Sequence, residues 1–147
     1  MQTVSAVLGG WHNFAFGKFT GIVSGGQHTV DGHWSIIGGG NAHQVTGDYS
    51  GIVAGMTNTA AGTYGFIGGG INNGVPGHYA TLLGGEGNTV FGNYSTISGG
   101  SSNSVTGLSG FIGGGSYNDV SGNNAGIASG YNNKATEEQS FVGGGTR

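Results

Sequence analysis

Six carboxylates and five histidines are the side chains of this 147-residue chain best suited to acid–base or metal chemistry. The carboxylates are scattered along the sequence, and only Glu137 and Glu138 lie close together. A glycosidase needs two carboxylates held roughly 5–10 Å apart across a cleft, and two adjacent residues near the end of the chain do not provide that arrangement. We therefore predict that the chain is not an enzyme.

The residues that bind metals, phosphates or disulfide partners are equally scarce. Cysteine is absent, which excludes a disulfide framework and a thiolate metal site. His28 and His43 are weak candidates for metal ligands, but no third ligand follows at a suitable spacing. Lys18, Lys134 and Arg147 are the only Lys and Arg residues, too few to neutralise a row of phosphates. The sequence predicts no cofactor and no nucleic-acid partner.

Aromatic side chains recur at a fixed spacing through most of the chain. At the spacing of neighbouring strands they would form a stacked ladder, which sets strand register and shields a glycine corner. The same ladder is a candidate carbohydrate-binding stripe, because flat aromatic rings stack on sugar faces. The column consists of Phe19, Trp34, Tyr49, Tyr64, Tyr79 and Tyr94, and it stops at Ser109.

These aromatic residues form one column of a fifteen-residue repeat, roughly S-x-I-x-G-G-x-x-N-x-V-x-G-x-Y, without insertion or deletion. We number the copies as coils 1–10 and their residues as positions 1–15. Position 3 is always Ile, Val or Leu, and position 6 is always Gly. A strict period of this length predicts a solenoid spanning residues 1–147 as a single domain. The coils start at Ser5, Thr20, Ser35, Ser50, Gly65, Ala80, Ser95, Gly110, Ala125 and Ser140.

Each coil divides into two similar halves, Ser-x-Ile-x-Gly and Asn-x-Val-x-Gly, with an apolar centre and a period of two. This pattern predicts two short half-buried strands, each ended by a glycine corner. Glycine at this frequency excludes a helix, because each glycine costs about 1 kcal/mol relative to Ala. Ten coils at strand spacing give a rod of roughly 45–50 Å.

Side-chain parity sorts the positions of the repeat into inside and outside. Positions 1, 3 and 5 should point inward from the first strand, and positions 9, 11 and 13 from the second. The core is then a pair of small aliphatic side chains per coil, at positions 3 and 11. The Asn column at position 9 predicts an amide ladder, explained by the tolerance of Asn for left-handed corners.

The outward positions 2 and 4 of the first strand carry no charge in any of the ten coils. Most pairs combine one bulky residue with Gly or Ala, which is typical of a packed interface. Positions 10 and 12 are mainly Thr, Ser, Gln, Asp and Lys, and should face water. One apolar face and one polar face predict lateral self-association with closed symmetry. The bulky interface candidates are Leu8, Val23, Ile36, Val53, Phe66, Leu83, Phe111 and Phe141.

The two half-repeats resemble the repeated head motif of trimeric autotransporter adhesins, and similar repeats occur in phage tail-fibre and fibre-tip proteins. The resemblance covers Ser5 to Arg147. It implies a left-handed parallel β-roll in which three chains surround one axis, with the inner strand of each coil packed at that axis. The repeat departs from the family's usual fourteen residues by a second glycine, such as Gly10 or Gly25.

The expected function is a trimeric adhesin head or phage receptor-binding domain that attaches to a cell-surface glycan or protein receptor. The alternatives are a purely structural spacer and an ice-binding surface, although the Thr29, Thr59 and Thr89 column is interrupted by other residues. We expect an extracellular, cell-surface or virion location. The sequence predicts neither a signal peptide nor a membrane-inserted segment. The aromatic first coil, with Trp11 and Phe16, is expected to be a cap or a docking surface.

Overall fold

Two parallel sheets run along the whole rod in this computed structural model, which describes residues 4–146. Every strand is two residues long, and neighbouring strands pair with a shift of fifteen residues, as in Ile22 with Ile37. The first sheet contains Ala6–Val7, Gly21–Ile22, Ile36–Ile37, Gly51–Ile52, Phe66–Ile67, Thr81–Leu82, Thr96–Ile97, Phe111–Ile112, Gly126–Ile127 and Phe141–Val142. The second contains Phe14–Ala15, Thr29–Val30, Gln44–Val45, Thr59–Ala60, Gly74–Val75, Thr89–Val90, Ser104–Val105, Asp119–Val120 and Lys134–Ala135. The predicted all-β parallel solenoid is confirmed.

A third ladder, which the sequence analysis missed, closes the coil between the two sheets. Position 7 of each coil forms a single-residue parallel bridge to position 7 of the next, from Trp11–Gly26 to Tyr131–Thr146. Position 7 varies from Gly to Trp and Glu, because only its backbone takes part in pairing. A coil is therefore strand, bridge, strand and turn, rather than two strands with two simple corners.

The core is the predicted pair of aliphatic columns at positions 3 and 11. In coils 2–9 these side chains are fully or almost fully buried, from Ile22 and Val30 to Ile127 and Ala135. Val7 in the first coil is 45% exposed. Position 1 is buried too: Ser50 Oγ donates to Gly62 O and accepts the backbone N–H of Gly65 in the next coil.

Position 5 is a correction to the predicted parity. Ser24, Ala54 and Ser129 at this position are exposed rather than inward-facing. The regular strand ends at position 3, and the chain bends at position 5 in coils 1–9. The period-two argument therefore stops applying after position 4, because it holds only along an extended backbone.

The asparagine ladder at position 9 is present, but its cause differs from the predicted one. The Asn88 Nδ2 donates to Gly84 O in its own coil at 3.3 Å and to Gly100 O in the next coil at 2.9 Å. The Asn88 Oδ1 accepts the N–H of Asn103 at 3.0 Å. The left-handed residues are instead those at positions 6, 8 and 15. Asn therefore occupies position 9 because its side chain forms these buried hydrogen bonds, and not because it tolerates a left-handed backbone.

Glycine at position 6 makes room for this ladder. Gly85 has φ +101°, and a Cβ at that residue would collide with the Gly100 carbonyl oxygen and lie 2.6 Å from the Asn88 Nδ2. Glycine at position 13 has another cause: a Cβ on Gly62 would collide with the Gly77 carbonyl oxygen of the next coil. Both columns let successive backbones approach closely.

Within residues 4–146, the chain forms no helix of the length and apolarity needed to cross a membrane.

Gly85→Ala tests the requirement for glycine at position 6. The added methyl group would collide with a backbone carbonyl, and alanine disfavours the positive φ of this residue. We therefore expect the free energy of unfolding to fall by at least about 3 kcal/mol. Gly84→Ala is the matched control, since nothing lies within 4 Å of its Cβ position, and its effect should be below about 1 kcal/mol. Urea denaturation of both variants measures the difference. Equal effects would contradict this account of position 6.

Candidate functional site

The coil has four sides, each defined by its positions in the repeat. The seam consists of positions 2 and 4 on the first sheet, and the bridge side of positions 7 and 8. The polar face consists of positions 10 and 12 on the second sheet, and the turn side of positions 14 and 15. Each side is a set of parallel columns that run along the rod, so a surface feature persists over several coils.

The seam of the single chain is exposed along its length. All eight interface candidates named from the sequence are open to solvent, with exposed fractions from 40% at Phe66 to 75% at Leu8. Bulky side chains alternate with gaps at glycines, as where Gly51 lies between Ile36 and Phe66 in neighbouring coils. The seam is therefore an uncharged, mainly apolar surface of alternating protrusions and gaps, which suits a self-association interface.

A groove of about 430 Å³ lies between the seam and the turn side in coils 2–5. Its seam wall includes Ile36, Gly51 and Phe66, and its opposite wall is formed by Trp34 and Tyr49. The groove exists because Gly51 has no side chain between two bulky neighbours. It joins the apolar seam to the aromatic column, so the two predicted surfaces are adjacent.

The six predicted aromatic residues are brought together in one stack on the turn side. Successive ring planes differ by 2–17°, and all six rings remain partly exposed. The centroid distances are 4.2 Å for Phe19–Trp34, 6.4 Å for Trp34–Tyr49, 4.9 Å for Tyr49–Tyr64, 4.7 Å for Tyr64–Tyr79 and 5.1 Å for Tyr79–Tyr94. The predicted ladder is confirmed as a structural feature.

These aromatic residues adopt an unusual backbone conformation. Position 15 is left-handed in every coil from the first to the ninth, with φ of 53–59°. This conformation costs an L-residue roughly 1–2 kcal/mol. Stacking contributes about 0.5–1.5 kcal/mol per aromatic pair, and the Tyr79 N–H donates to the Thr63 carbonyl of the preceding coil at 2.9 Å. Together these interactions offset the cost of the turn.

A second polar ladder beside the rings was missed from the sequence. The backbone N–H at position 14 donates to the position 14 side chain of the next coil: Lys18 to His33 Nδ1, His33 to Asp48 Oδ1, and His78 to Asn93 Oδ1. The signal was available as a column of hydrogen-bond acceptors at one position. These exposed groups form a polar border along the aromatic ladder.

The polar face is as predicted in most coils, although three phenylalanines interrupt it. Phe14 and Phe16 of the first coil stack with centroids 5.8 Å apart, and Phe91 is exposed further along. Gln44 and Gly74 break the threonine column on the same face. The regular threonine array expected of an ice-binding surface is therefore absent from the described polar face.

The aromatic first coil partly covers the start of the rod. The Trp11 indole lies directly over Gly26, where any Cβ would collide with it, and Gly26 is buried. The outer surfaces of Trp11, Phe14 and Phe16 remain exposed. The arrangement fits a cap, and docking of an additional domain onto it stays a prediction.

The two predicted histidines lie side by side in the buried asparagine column. His28 and His43 stack with ring centroids 5.1 Å apart. Each Nδ1 accepts the position 9 N–H of the next coil at 3.1 Å, as Asn Oδ1 does elsewhere. Each Nε2 is buried without a hydrogen-bond partner. The histidines therefore keep the acceptor bond of the amide, while Nε2 makes no hydrogen bond of good geometry to the nearby carbonyls that Asn Nδ2 bonds in other coils.

Burial and charge determine the protonation of this pair. Burial lowers the pKa of His43 to about 4, and repulsion from His28 contributes to the shift. Burial also lowers the pKa of His28. Both rings are consequently neutral at pH 7, with the proton on Nε2. Within residues 4–146, no group of three or more His, Cys, Asp or Glu side chains could hold a metal ion.

The carboxylates stay apart in the fold. Asp31, Asp48, Glu86 and Asp119 belong to positions 12, 14, 7 and 10 in different coils. Glu137 and Glu138 are exposed neighbours on the turn of coil 9.

No protein-family model matches this sequence, and a comparison with curated proteins finds no similar one.

Substituting the histidines tests their effect on stability. The double variant His28→Asn/His43→Asn restores the usual residue of the repeat and its donor bonds. We therefore expect its free energy of unfolding at pH 7 to be about 1–3 kcal/mol higher than that of the parent. Urea unfolding at neutral pH, with the parent chain as reference, measures this gain. A less stable double variant would contradict it.

The parent chain should also be more sensitive to acid than this variant. Because the folded pKa of His43 lies below its unfolded value, the unfolded state binds more protons as pH falls from 6.5 to about 4. Stability is therefore complete above pH 6.5 and declines by up to about 3 kcal/mol towards pH 4. The difference between parent and variant in a pH series measures the combined contribution of the two histidines, and parallel curves would contradict it.

Proposed function

We propose that this chain is a non-enzymatic binding rod that works as a homotrimer, as an adhesin head or as the receptor-binding part of a phage fibre. Three copies would lie side by side with their seams around a common axis. The turn sides and polar faces would then meet a ligand on a cell surface. The observation that carries the proposal is the seam, an exposed apolar surface without a charged residue.

The size and composition of the seam favour burial against copies of itself. Soluble monomers rarely expose continuous apolar surfaces of more than a few hundred Å². Here bulky side chains recur from Leu8 to Phe141 in eight of the ten coils, all except coils 7 and 9. The thin core inside each coil leaves little other apolar burial to offset the entropy of ordering fifteen residues. Packing of seams adds the missing contribution.

The relief of the seam favours parallel copies in register. Coil 3 pairs bulky Ile36 at position 2 with Gly38 at position 4, and coil 4 reverses this with Gly51 and Val53. In a ring of parallel copies, position 2 of one chain faces position 4 of the next at the same level. Each bulky side chain would then meet a glycine or another small residue.

The groove fits the same arrangement. In such a ring, the bridge side of one copy adjoins the turn side of its neighbour, because the first-sheet strands run head to tail around the axis. The bridge side is apolar at Met56 and Ile71, in coils 4 and 5, and both side chains are exposed. These are the levels of the groove beside Tyr49 and Phe66. The number three is the number that the family resemblance implies.

The glycan part of the proposal is supported by the turn side. It combines partly exposed rings with hydroxyl, amide and imidazole groups at position 14, the two kinds of group that bind sugars. A location on a cell surface or virion is part of the same proposal. A structural spacer and an ice-binding rod are the outcomes if no ligand is found.

Phe111→Lys tests assembly. It would bring lysine ammonium groups together in an apolar interface, where burying unpaired charge is strongly unfavourable. We expect the trimer mass measured by light scattering to fall to that of the monomer, with association weakened at least about a hundredfold. Ser121→Lys, in the same coil on the polar face, is the matched control and should remain trimeric. A monomeric parent, or a trimeric Phe111→Lys variant, would overturn the proposed assembly.

Glycan arrays test binding. The variant with Tyr49, Tyr64, Tyr79 and Tyr94 replaced by Ser should fold, because coil 7 carries Ser109 at this position with the same backbone conformation. We expect the parent trimer to bind particular glycans and the variant to lose them by at least about tenfold. Failure of the parent to bind any glycan or cell would favour the spacer, and thermal hysteresis in its solutions would indicate ice binding.

A further inference from the structure

The stacked ladder hides most of its ring faces. From Tyr49 to Tyr94 the centroids are 4.7–5.1 Å apart and the planes are nearly parallel. Aromatic rings in contact have centroids about 4.5–7 Å apart, so no further ring can enter between two neighbours. Between Tyr49 and Tyr94 each inner ring therefore has a neighbouring ring on both faces. A sugar that stacks on an aromatic face can do so only at an end of the ladder.

The two ends of the ladder are not equivalent. Val4 precedes Phe19 in the column and occupies position 15 of the partial coil before it. At the other end, Tyr94 is followed by Ser109 and then Asn124, neither of which has a ring. Tyr94 is 60% exposed, more than any other ring of the ladder. The outer face of Tyr94 is therefore the open stacking surface.

The two coils after Tyr94 carry small side chains in the aromatic column. The backbones of Ser109 and Asn124 have φ of 53° and 55°, matching 58° at Tyr94, so their side chains start from equivalent positions. Two coil spacings, about 9.6 Å, separate the level of Tyr94 from that of Asn124. A further ring of the ladder would lie at the level of Ser109, whose side chain is much smaller than a ring. We define Tyr94, Ser109 and Asn124, with the exposed Leu108 beside them, as the end slot.

We propose that the end slot binds one pyranose ring of a glycan, with its C–H face on Tyr94. The Ser109 hydroxyl and the Asn124 amide hydrogen-bond to its hydroxyl groups. This inference rests on the proposed glycan-binding function and names its site. A β-galactoside suits the slot, because its axial O4 leaves an uninterrupted C–H surface on the opposite face of the ring.

The proposed trimer leaves the end slot open. At coils 7 and 8, position 7 of an adjoining copy is Ser101 and Ser116, in place of the bulky Met56 and Ile71 beside the groove, and position 8 of coil 8 is the exposed Tyr117. Small hydroxyl residues leave space for a ligand and add hydrogen-bonding groups. A trimer has three such slots at one level, so a branched glycan gains affinity from multivalency even though each slot binds weakly.

The test is a titration of the assembled protein with methyl β-D-galactopyranoside, followed by NMR of the tyrosine ring signals. We expect the Tyr94 signals to shift with millimolar affinity, while those of Tyr64, which lies between two other rings of the stack, do not. Tyr94→Ser should weaken binding at least about tenfold. Ser109→Gln should do the same by filling the slot, since Gln139 already adopts this conformation with φ 58°. Tyr64→Ser is the control and should change affinity less than about twofold.

The outcomes separate this site from the general function. If glycans bind the parent on an array but Tyr64→Ser weakens binding as much as Tyr94→Ser, the ring edges form the site and the end slot is wrong. Glycan binding without a shift at Tyr94 also overturns the end slot, while the proposed function stands. If neither the array nor the titration detects binding, both proposals fail.

Discussion

The buried amide at position 9 is the interaction on which the rest of the solenoid depends. In a coil such as coil 6, Asn88 bonds to a carbonyl of its own coil, to a carbonyl of the next and to the next N–H. It thereby fixes the corner and the stacking distance together. Hydrogen bonds of buried groups contribute about 1 kcal/mol each, and leaving such a group unpaired costs more. An insertion would misplace all three partners, which accounts for the constant fifteen-residue period.

This ladder explains why so few positions define the fold. Positions 3 and 11 supply the core, position 6 makes room for the amide, and position 13 lets the turns approach. Most other positions take part through their backbone, as the bridge at position 7 shows by accepting Gly26, Glu86 and Tyr131 alike. The outward columns are consequently free to differ from coil to coil. Apolar, aromatic and polar surfaces can therefore be assigned to separate sides of one rod.

The sequence predicted what depends on local periodicity. Alternation around Ile52 and Ala60 gave the sheets and core, and the spacing of Tyr64 and Tyr79 gave the stacked ladder. The sequence did not predict the bridge at position 7, because backbone hydrogen bonds form that bridge and they require no particular side chain. It also failed where the extended backbone ends: Ser24 at position 5 was expected to be inside and is exposed. The exposure of the ring faces could not be predicted either, because it depends on the distances between neighbouring coils and not on the residues within one repeat.

The interruption of the aromatic ladder costs little and changes the surface greatly. One lost stacking contact is worth about 0.5–1.5 kcal/mol, less than the several buried hydrogen bonds that hold each coil. Coil 7 therefore keeps the fold with Ser109 where a ring stood before. An uninterrupted ladder would offer the same edges at every coil and no distinguishable site. The ladder ends at Tyr94, beside the polar side chains of Ser109 and Asn124, and the proposed end slot depends on this interruption of an otherwise uniform rod.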